Sequence, residues 1–253
     1  MSRAYVSIVS LLALLVSSIT ALAQTPRNPS YTVSLNQDSF FGFYPTVNGT
    51  VPLGEKADWT FYGIFWTTPS FGTGGGGGLW TEFGTGVNLR SANGVLTANP
   101  QVGVLNGKLL SNGAFPVFVE GIVPSLTVNL SSQKWEGQFY MGYYAALRKG
   151  KVLSADNPNR LVDAPVQNNF LHWWVNAGYK VSSVVSLGAH YEHLRSNPSV
   201  GDASDLYKWF GPYLQATMSN GLTLRFSGGP NVLDRPAADG NNSFYKMTAA
   251  FSF

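Results

Sequence analysis

The chain has 253 residues, of which 44% are hydrophobic, 14% aromatic and only 11% charged. Soluble domains carry about a quarter charged residues, so this composition is unusual for a cytosolic enzyme, and a mean hydropathy of +0.01 excludes a polytopic helical membrane protein. The absence of cysteine excludes disulfide frameworks and thiolate metal sites. A net charge of +3 over this length is too small to indicate nucleic-acid binding.

Residues 1–23 have the pattern of a secretory signal peptide. Arg3 supplies a positive n-region, residues 6–19 form an apolar stretch, and residues 21–23 give a small-x-small cleavage pattern. The alternative is an uncleaved anchor helix, since about 20 apolar residues span a bilayer. Cleavage leaves residues 24–253 as the mature domain, which contains no other apolar segment long enough to span a membrane as a helix.

Apolar and polar residues alternate along the mature chain with a period of two, which predicts β-strands rather than helices. In segment 134–148 one face is apolar throughout while the other carries every charge. Segment 116–131 changes phase midway, which predicts a bulge around residues 121–125. In chain order the predicted strands are 31–36, 39–53, 59–68, 79–90, 94–106, 116–131, 134–148, 168–181, 184–195, 206–218, 221–233 and 244–253.

The predicted connections are sorted by length. Long loops lie at 69–78, 106–115, 149–167, 196–205 and 234–242, and tight turns separate them. Soluble sandwiches have no reason to sort loops in this way, whereas membrane barrels have short periplasmic turns and longer outside loops. Closure of the sheet is also the way in which strands survive in hydrocarbon. The sequence therefore predicts an all-β fold, a closed antiparallel transmembrane β-barrel of twelve strands, with ten as the alternative.

The C-terminal residues resemble the assembly signal of Gram-negative outer-membrane β-barrels. Lys246 is the polar residue, Thr248 stands where that family usually has glycine, and the aromatics are Phe251 and Phe253. The resemblance covers the architecture of the whole mature chain. In size and predicted strand number the chain is similar to small twelve-stranded solute channels, but no motif assigns it to a subfamily. It implies a place in the bacterial outer membrane, contact with outer-membrane lipid and lipopolysaccharide, and folding by the barrel-assembly machinery.

Four tryptophans lie near the ends of predicted strands. They are Trp59, Trp80, Trp135 and Trp209. Tryptophan is enriched at the two membrane–water interfaces. We therefore expect these side chains in the aromatic girdles of the barrel, with ordinary core positions as the alternative.

Strand parity places a set of ionisable side chains on the polar, inward face. They are Glu82, Arg90, Glu120, Glu136, Arg148, Lys180, His190, Glu192, Arg225 and Lys246. Because lumen charges set selectivity, their slight basic excess predicts a passive, porin-like channel for small polar or weakly anionic solutes. The alternative is a non-conducting barrel filled by internal ion pairs, whose outside loops contact a partner or lipopolysaccharide.

Other candidate chemistries receive little support from the sequence. The glycine run 74–78 lacks the lysine and hydroxyl spacing of a phosphate-binding loop. His190 and Glu192 share a strand face but His193 points away, so no metal site is predicted. The chain has three histidines, His172, His190 and His193. No constellation of side chains typical of outer-membrane hydrolases surrounds them. We therefore predict no catalytic residue and no cofactor, and a hydrolase stays the second alternative.

Overall fold

In the computed structural model, residues 27–66, 80–233 and 242–253 are described. The predicted signal peptide 1–23, the glycine run 74–78 and nearly all of loop 234–242 lie outside the described residues. Within the described ranges there is no helix that is long and apolar enough to cross a membrane. Because residues 1–23 are not among the described residues, cleavage after residue 23 stays a prediction.

Twelve antiparallel strands close into one barrel, as predicted, and the ten-strand alternative is wrong. Two further strands, β8 and β9, form a hairpin inside the long loop that was predicted at 149–167. The strands are β1 (Ser30–Asp38), β2 (Gly42–Pro52), β3 (Ala57–Trp66), β4 (Trp80–Arg90), β5 (Leu96–Gly107), β6 (Val117–Ser131), β7 (Trp135–Ala146), β8 (Lys151–Leu153), β9 (Leu161–Asp163), β10 (Asn168–Lys180), β11 (Val185–Pro198), β12 (Ser204–Thr217), β13 (Leu222–Pro230) and β14 (Ser243–Ser252).

The barrel closes between its first and last strands. β1 pairs antiparallel with β14 from Thr32 opposite Ser252 to Asp38 opposite Lys246. One step further, the backbones of Tyr31 and Phe253 exchange two hydrogen bonds of 2.9 Å. Because every barrel strand has two neighbours, the wall leaves no open edge, which is the condition for a sheet that spans hydrocarbon.

The two ends of the barrel differ, in agreement with the sorted loops. Consecutive strands are joined by short turns at 53–56, 91–95, 132–134, 181–184 and 218–221, at the end where β1 begins and β14 finishes. We call this the turn end. In these turns Gly94 and Gly221 have φ of +68° and +85°, a backbone region that glycine enters without steric cost. The described connections 39–41, 108–116, 147–167 and 199–203 lie at the opposite end, the loop end.

The outer face of the wall is apolar. Large hydrophobic side chains from several strands are each about half exposed there, namely Phe83, Leu89, Val102, Leu187, Phe210, Leu214 and Phe226. Their sequence neighbours point inward because side chains alternate along a strand. The low overall charge agrees with this arrangement, since much of the outer face of the sheet consists of apolar side chains.

The predicted bulge in β6 exists, but it lies nearer the start of the strand. Two steps along β5, from Leu105 to Gly107, face four steps along β6, from Val117 to Gly121. Val119 has φ of +53° within this irregularity. From residue 121 onward the register is regular, so the segment 121–125 contains no extra residue. The phase change in the sequence therefore indicated an irregularity in this strand but not its position or its size.

Candidate functional site

An apolar layer crosses the barrel near the loop end, and we call it the aromatic layer. It consists of side chains that are less than one-tenth exposed: Trp66, Trp80, Leu105, Leu110, Val123, Tyr144, Phe170, Leu194, Tyr207, Trp209 and Phe244. Phe41, in the turn between β1 and β2, lies 6.3 Å from the ring of Trp80 and 5.8 Å from that of His172 on β10. Tyr207 stacks on Trp209 with ring centroids 3.9 Å apart. Side chains from distant strands thus meet and fill the lumen at this level.

Two of the tryptophans expected in the girdles belong to the aromatic layer, which corrects that expectation. Trp80 is 8% and Trp209 3% exposed, whereas Trp59 and Trp135 are 45% and 57% exposed near the turn end. Trp80 pairs with Trp66 across β3 and β4, and both rings point inward. Proximity to a strand end was the sequence criterion, but the face of the strand decides whether a tryptophan meets lipid or lumen.

Glu120 anchors the loop that contributes Leu110 to the layer. Its carboxylate accepts hydrogen bonds from the backbone N–H groups of Leu109, Leu110 and Ser111 at 3.1, 2.9 and 2.9 Å. The side chain is fully buried. The prediction of an open, lumen-lining carboxylate is therefore corrected for Glu120, because the bulge in β6 turns it toward the loop 108–116.

A buried cluster of polar side chains lies next to the aromatic layer, on the side of the turn end, with Glu192 at its centre. One carboxylate oxygen, Oε1, lies 2.8 Å from His172 Nε2 and accepts a hydrogen bond from the Tyr207 hydroxyl at 2.8 Å. The other, Oε2, lies 3.0 Å from His190 Nε2 and 2.7 Å from the Lys246 ammonium. Glu192 is fully buried, and a buried carboxylate needs this degree of pairing to be tolerated.

A second carboxylate of the same region is that of Asp38. It accepts backbone hydrogen bonds from Phe40 and Phe41 at 2.9 and 2.6 Å, and one from the Tyr44 hydroxyl at 2.9 Å. Asp38 was not among the predicted site residues, because it is the last residue of a strand that was predicted to stop at residue 36. This contact fixes the turn between β1 and β2, so that Phe41 enters the lumen.

A polar cavity of about 440 Å³ lies between the aromatic layer and the turn end. Thr223 and Ala250, close to the turn-end rim, line its outer part, and Trp66 and Tyr144 of the aromatic layer close it. Its charged lining groups are Glu82, Arg225 and Lys246, together with His172 and His190. Its amides come from strands all around the barrel: Asn36, Asn48, Gln101, Gln138, Asn176 and Gln215. Among the described residues, the lining of the cavity therefore extends from the turn end to the aromatic layer.

The remaining predicted lumen residues sit in ion pairs or hydrogen bonds near the turn end. Arg90 binds the buried carboxylate of Asp58 at 2.5 Å, and Asp58 was missed because it precedes the predicted strand 59–68. Glu136 accepts a hydrogen bond from the Tyr213 hydroxyl at 2.8 Å and lies 3.9 Å from Arg225. The Lys180 ammonium donates to the Ser132 carbonyl oxygen at 2.8 Å.

Arg148 does not lie in the lumen, which corrects the prediction for this residue. Strand β7 ends at Ala146, and Arg148 is exposed in the loop that follows. The expected preference for anions does not follow from the structure either, because Lys246 and Arg90 are each paired with a carboxylate. A count of charged residues overestimates the free positive charge whenever the charges neutralise one another.

The histidines do not form a recognisable catalytic or metal centre. His190 Nδ1 lies 2.5 Å from Asn176 Oδ1, and the His193 ring faces the other side of the wall, where its Nε2 lies 2.9 Å from Asp205. In the part of the chain that the structure describes, no serine hydroxyl is hydrogen-bonded to a histidine, and no group of three metal-ligating side chains converges. Enzyme activity stays untested.

The C-terminal residues divide between the two faces of β14. Lys246 and Thr248 line the cavity, whereas Phe251 and Phe253 are exposed on the outer side. The assembly role of these four residues stays a prediction.

The chain belongs to a protein family described as "Family of unknown function (DUF6733)", whose model matches residues 1–253. No curated protein matches the sequence. Among solved structures, the COG4313 outer membrane channel from Pseudomonas putida F1 is similar with a TM-score of 0.56 and 11% identity, covering 91% of this chain and 97% of that one. The NanC porin is similar with a TM-score of 0.48 and 10% identity, covering 87% and 98%. At these identities the likeness shows the fold alone.

Proposed function

We propose that this family member is an outer-membrane barrel that works as a gated channel for small polar solutes and is closed at rest. The observation that carries the proposal is the polar cavity, which reaches the turn end and stops at the aromatic layer. By the usual orientation of such barrels, the turn end faces the periplasm and the loop end faces outward. Contact of the outer wall with lipid and lipopolysaccharide, and folding by the barrel-assembly machinery, belong to the same proposal.

The cavity supports a solute-binding role by its size and chemistry. Its volume of about 440 Å³ lies within the range of about 300–1,000 Å³ that is common for small-molecule sites. Amides and hydroxyls supply donors and acceptors around its whole circumference. Such a lining offers hydrogen bonds to a polar solute without holding it by a strong net charge.

The aromatic layer supports closure at rest. An apolar constriction excludes water and ions, which is one way in which channels gate. Two of its contributors are not held in barrel strands: Phe41 lies in the turn between β1 and β2, and Leu110 lies in the loop 108–116. Movement of these two segments is the smallest change that would join the cavity to the loop end.

A second candidate function is a non-conducting barrel that binds a ligand in a blind cavity. It is favoured by the density of the layer, since Leu105, Leu110 and Val123 are fully buried. Glu120 also fixes the loop 108–116 through three hydrogen bonds. Exposing apolar side chains that are buried to this degree costs a substantial amount of free energy. No observation favours a hydrolase over these two functions.

Planar-bilayer recording of the refolded protein tests the proposal. We expect the wild type to stay closed with brief conductance steps, and the double variant Phe41→Ser, Leu110→Ser to stay open because two apolar groups of the barrier are removed. The matched control is Phe115→Ser, which changes an exposed phenylalanine of the same loop and should behave as the wild type. A wild type that is open most of the time would contradict closure.

Solute-swelling measurements in liposomes separate the two candidate functions. A gated channel admits a small polar solute slowly in the wild type and quickly in the double variant. If the wild type passes neither ions at any voltage nor solutes, the barrel is a non-conducting binding protein. Heat-modifiable mobility in detergent gels confirms that each variant has closed its barrel before it is measured.

A further inference from the structure

We propose that the lumen contains a binding site for small organic cations that carry an ammonium group, built around the carboxylate of Glu82. The inference rests on the proposed function, because it names the solute class for the same cavity. Glu82 lies two residues after Trp80 of the aromatic layer and lines the closed end of the cavity. A cation bound there would sit directly beneath the barrier.

The first observation is an unpartnered oxygen on a buried carboxylate. Glu82 Oε1 accepts a hydrogen bond from the Tyr62 hydroxyl at 2.5 Å. Oε2 has no hydrogen-bond partner among the described residues, although the side chain is only 1% exposed. Buried polar atoms are almost always hydrogen-bonded, and a buried charge without a partner is costly. Because Glu82 lines the cavity, a ligand bound there is a source of the missing donor.

The second observation is the charge balance of the lining. Glu82 is the only carboxylate among the described residues that line the cavity. The two lining cations each have a carboxylate nearby: the Lys246 ammonium lies 2.7 Å from Glu192, and the Arg225 guanidinium lies 3.9 Å from Glu136. The uncompensated group in the cavity is thus negative, which selects a cationic ligand over an anionic one.

The third observation is the surface around the carboxylate. The backbone beside it lacks side chains at Gly84 and Gly103, and a Cβ at Gly103 would lie 2.6 Å from Glu82 Oε1. Tyr62 occupies this space and lines the cavity. Aromatic faces attract ammonium groups. In the same cavity the Lys246 ammonium already lies 5.1 Å from the ring centroid of Trp174.

The remaining rings of the cavity favour an organic cation over a bare metal ion. Tyr140 stacks on Trp174 with ring centroids 3.9 Å apart, and Tyr144 lines the same end. Hard metal ions prefer several oxygen ligands around them, whereas Glu82 is the only lining carboxylate. One carboxylate oxygen beside several rings matches an ammonium group on a short carbon chain.

A series of three probes of equal size tests the proposal on the refolded, full-length barrel in detergent. Ethanolammonium, ethylene glycol and glycolate share a hydroxyl and a two-carbon chain but carry positive, zero and negative charge. Isothermal titration calorimetry should detect binding of ethanolammonium and an affinity at least about tenfold lower for the other two, the size expected for one charge-assisted hydrogen bond. Equal binding of all three probes, or no binding of ethanolammonium, would overturn the proposal.

Variants then locate the bound probe. Glu82→Gln keeps the shape of the side chain but removes its charge, and should weaken ethanolammonium binding by about tenfold or more. The matched control is Asp163→Asn, which removes one negative charge from the exposed β8–β9 hairpin and should leave the affinity unchanged. Equal loss in both variants would mean that the probe responds to overall charge and not to Glu82.

The binding experiment and the bilayer experiment fail independently. If ethanolammonium does not bind but the bilayer recordings show gating, the cation site is wrong and the channel proposal stands. If ethanolammonium binds at Glu82 but neither ions nor solutes pass, the cation site stands in a non-conducting barrel. Because the probe series is measured on the wild type, it remains decisive even if Glu82→Gln does not fold.

Discussion

Replacement of Lys246 by methionine should destabilise the barrel strongly. The methionine keeps most of the volume of the side chain but removes the ammonium that lies 2.7 Å from Glu192 Oε2. Glu192 is fully buried and the Lys246 side chain is 17% exposed, so solvent cannot replace the lost cation. Removal of one partner of a buried ion pair costs about 3–5 kcal/mol. Since Tyr207, His172 and His190 still contact the carboxylate, we expect a loss near the lower limit, about 3 kcal/mol.

Urea-induced unfolding in phospholipid vesicles, followed by tryptophan fluorescence, measures the free energy of unfolding. The double variant Lys246→Met, Glu192→Gln should recover at least about 1.5 kcal/mol of the loss, because both charges are then absent and the two sites are coupled. The matched control is Lys180→Met at the turn-end rim, where a loss below about 1 kcal/mol is expected.

The reasoning would be refuted if Lys246→Met cost no more than Lys180→Met. In that case the neutral donors around Glu192 would hold its carboxylate without help from the ammonium. The same result would also remove the argument that the positive charges of the lumen are neutralised in pairs.

Three further predictions follow from the same contacts. Glu120→Gln should weaken the anchor of the loop 108–116 by about 1.5–3 kcal/mol, and hydrogen exchange should become faster in that loop and not in the strands. Gly211→Ala should cost about 1–3 kcal/mol because its Cβ would overlap the Gly228 carbonyl oxygen, whereas a Cβ in Gly228→Ala meets its nearest atom at 3.4 Å and should unfold like the wild type. The hydrogen bond and charge of Lys151 hold the pKa of Asp163 below its ordinary value, so this pair stabilises the hairpin above the unfolded-state pKa and loses that effect as the pH falls through the folded-state pKa. Lys151→Ala should raise the pKa of Asp163 in a carboxyl-carbon NMR titration, and an unchanged pKa would contradict the pairing.

The strand pattern was predictable because its signal is local. In a strand with one apolar face, apolar and polar residues alternate along the sequence. The twelve segments and the sorting of turns and loops can therefore be recognised without knowledge of any tertiary contact. Even β1, the weakest of these segments, has its place set by the need for an even number of strands. Its exact end was not predictable, and Asp38, which fixes the following turn, was missed for that reason.

The inward placement of most of the charged side chains was also predictable, with Arg148 and Glu120 as the exceptions, but their partners were not. Parity assigns Glu192 and Lys246 to the lumen, yet they are 54 residues apart and lie on strands that the barrel separates by two others. Which residues share a level depends on the stagger of neighbouring strands, and that stagger is a property of the closed sheet. A count of lumen charges therefore suggested free positive charge where the structure has ion pairs.

The sequence by itself determined that this chain builds a closed β-barrel with an apolar outside, because alternation and loop length are properties of consecutive residues; it favoured twelve strands and left ten as the alternative, which the structure excludes. The tertiary structure alone decided that buried side chains from distant strands meet in the aromatic layer. Trp80 and Trp209 are the same residue type as Trp59 and Trp135, and they form a barrier because closure of the barrel brings inward-facing rings from distant strands to one level. The unpartnered oxygen of Glu82 likewise becomes visible only when every possible donor around it has been located in space.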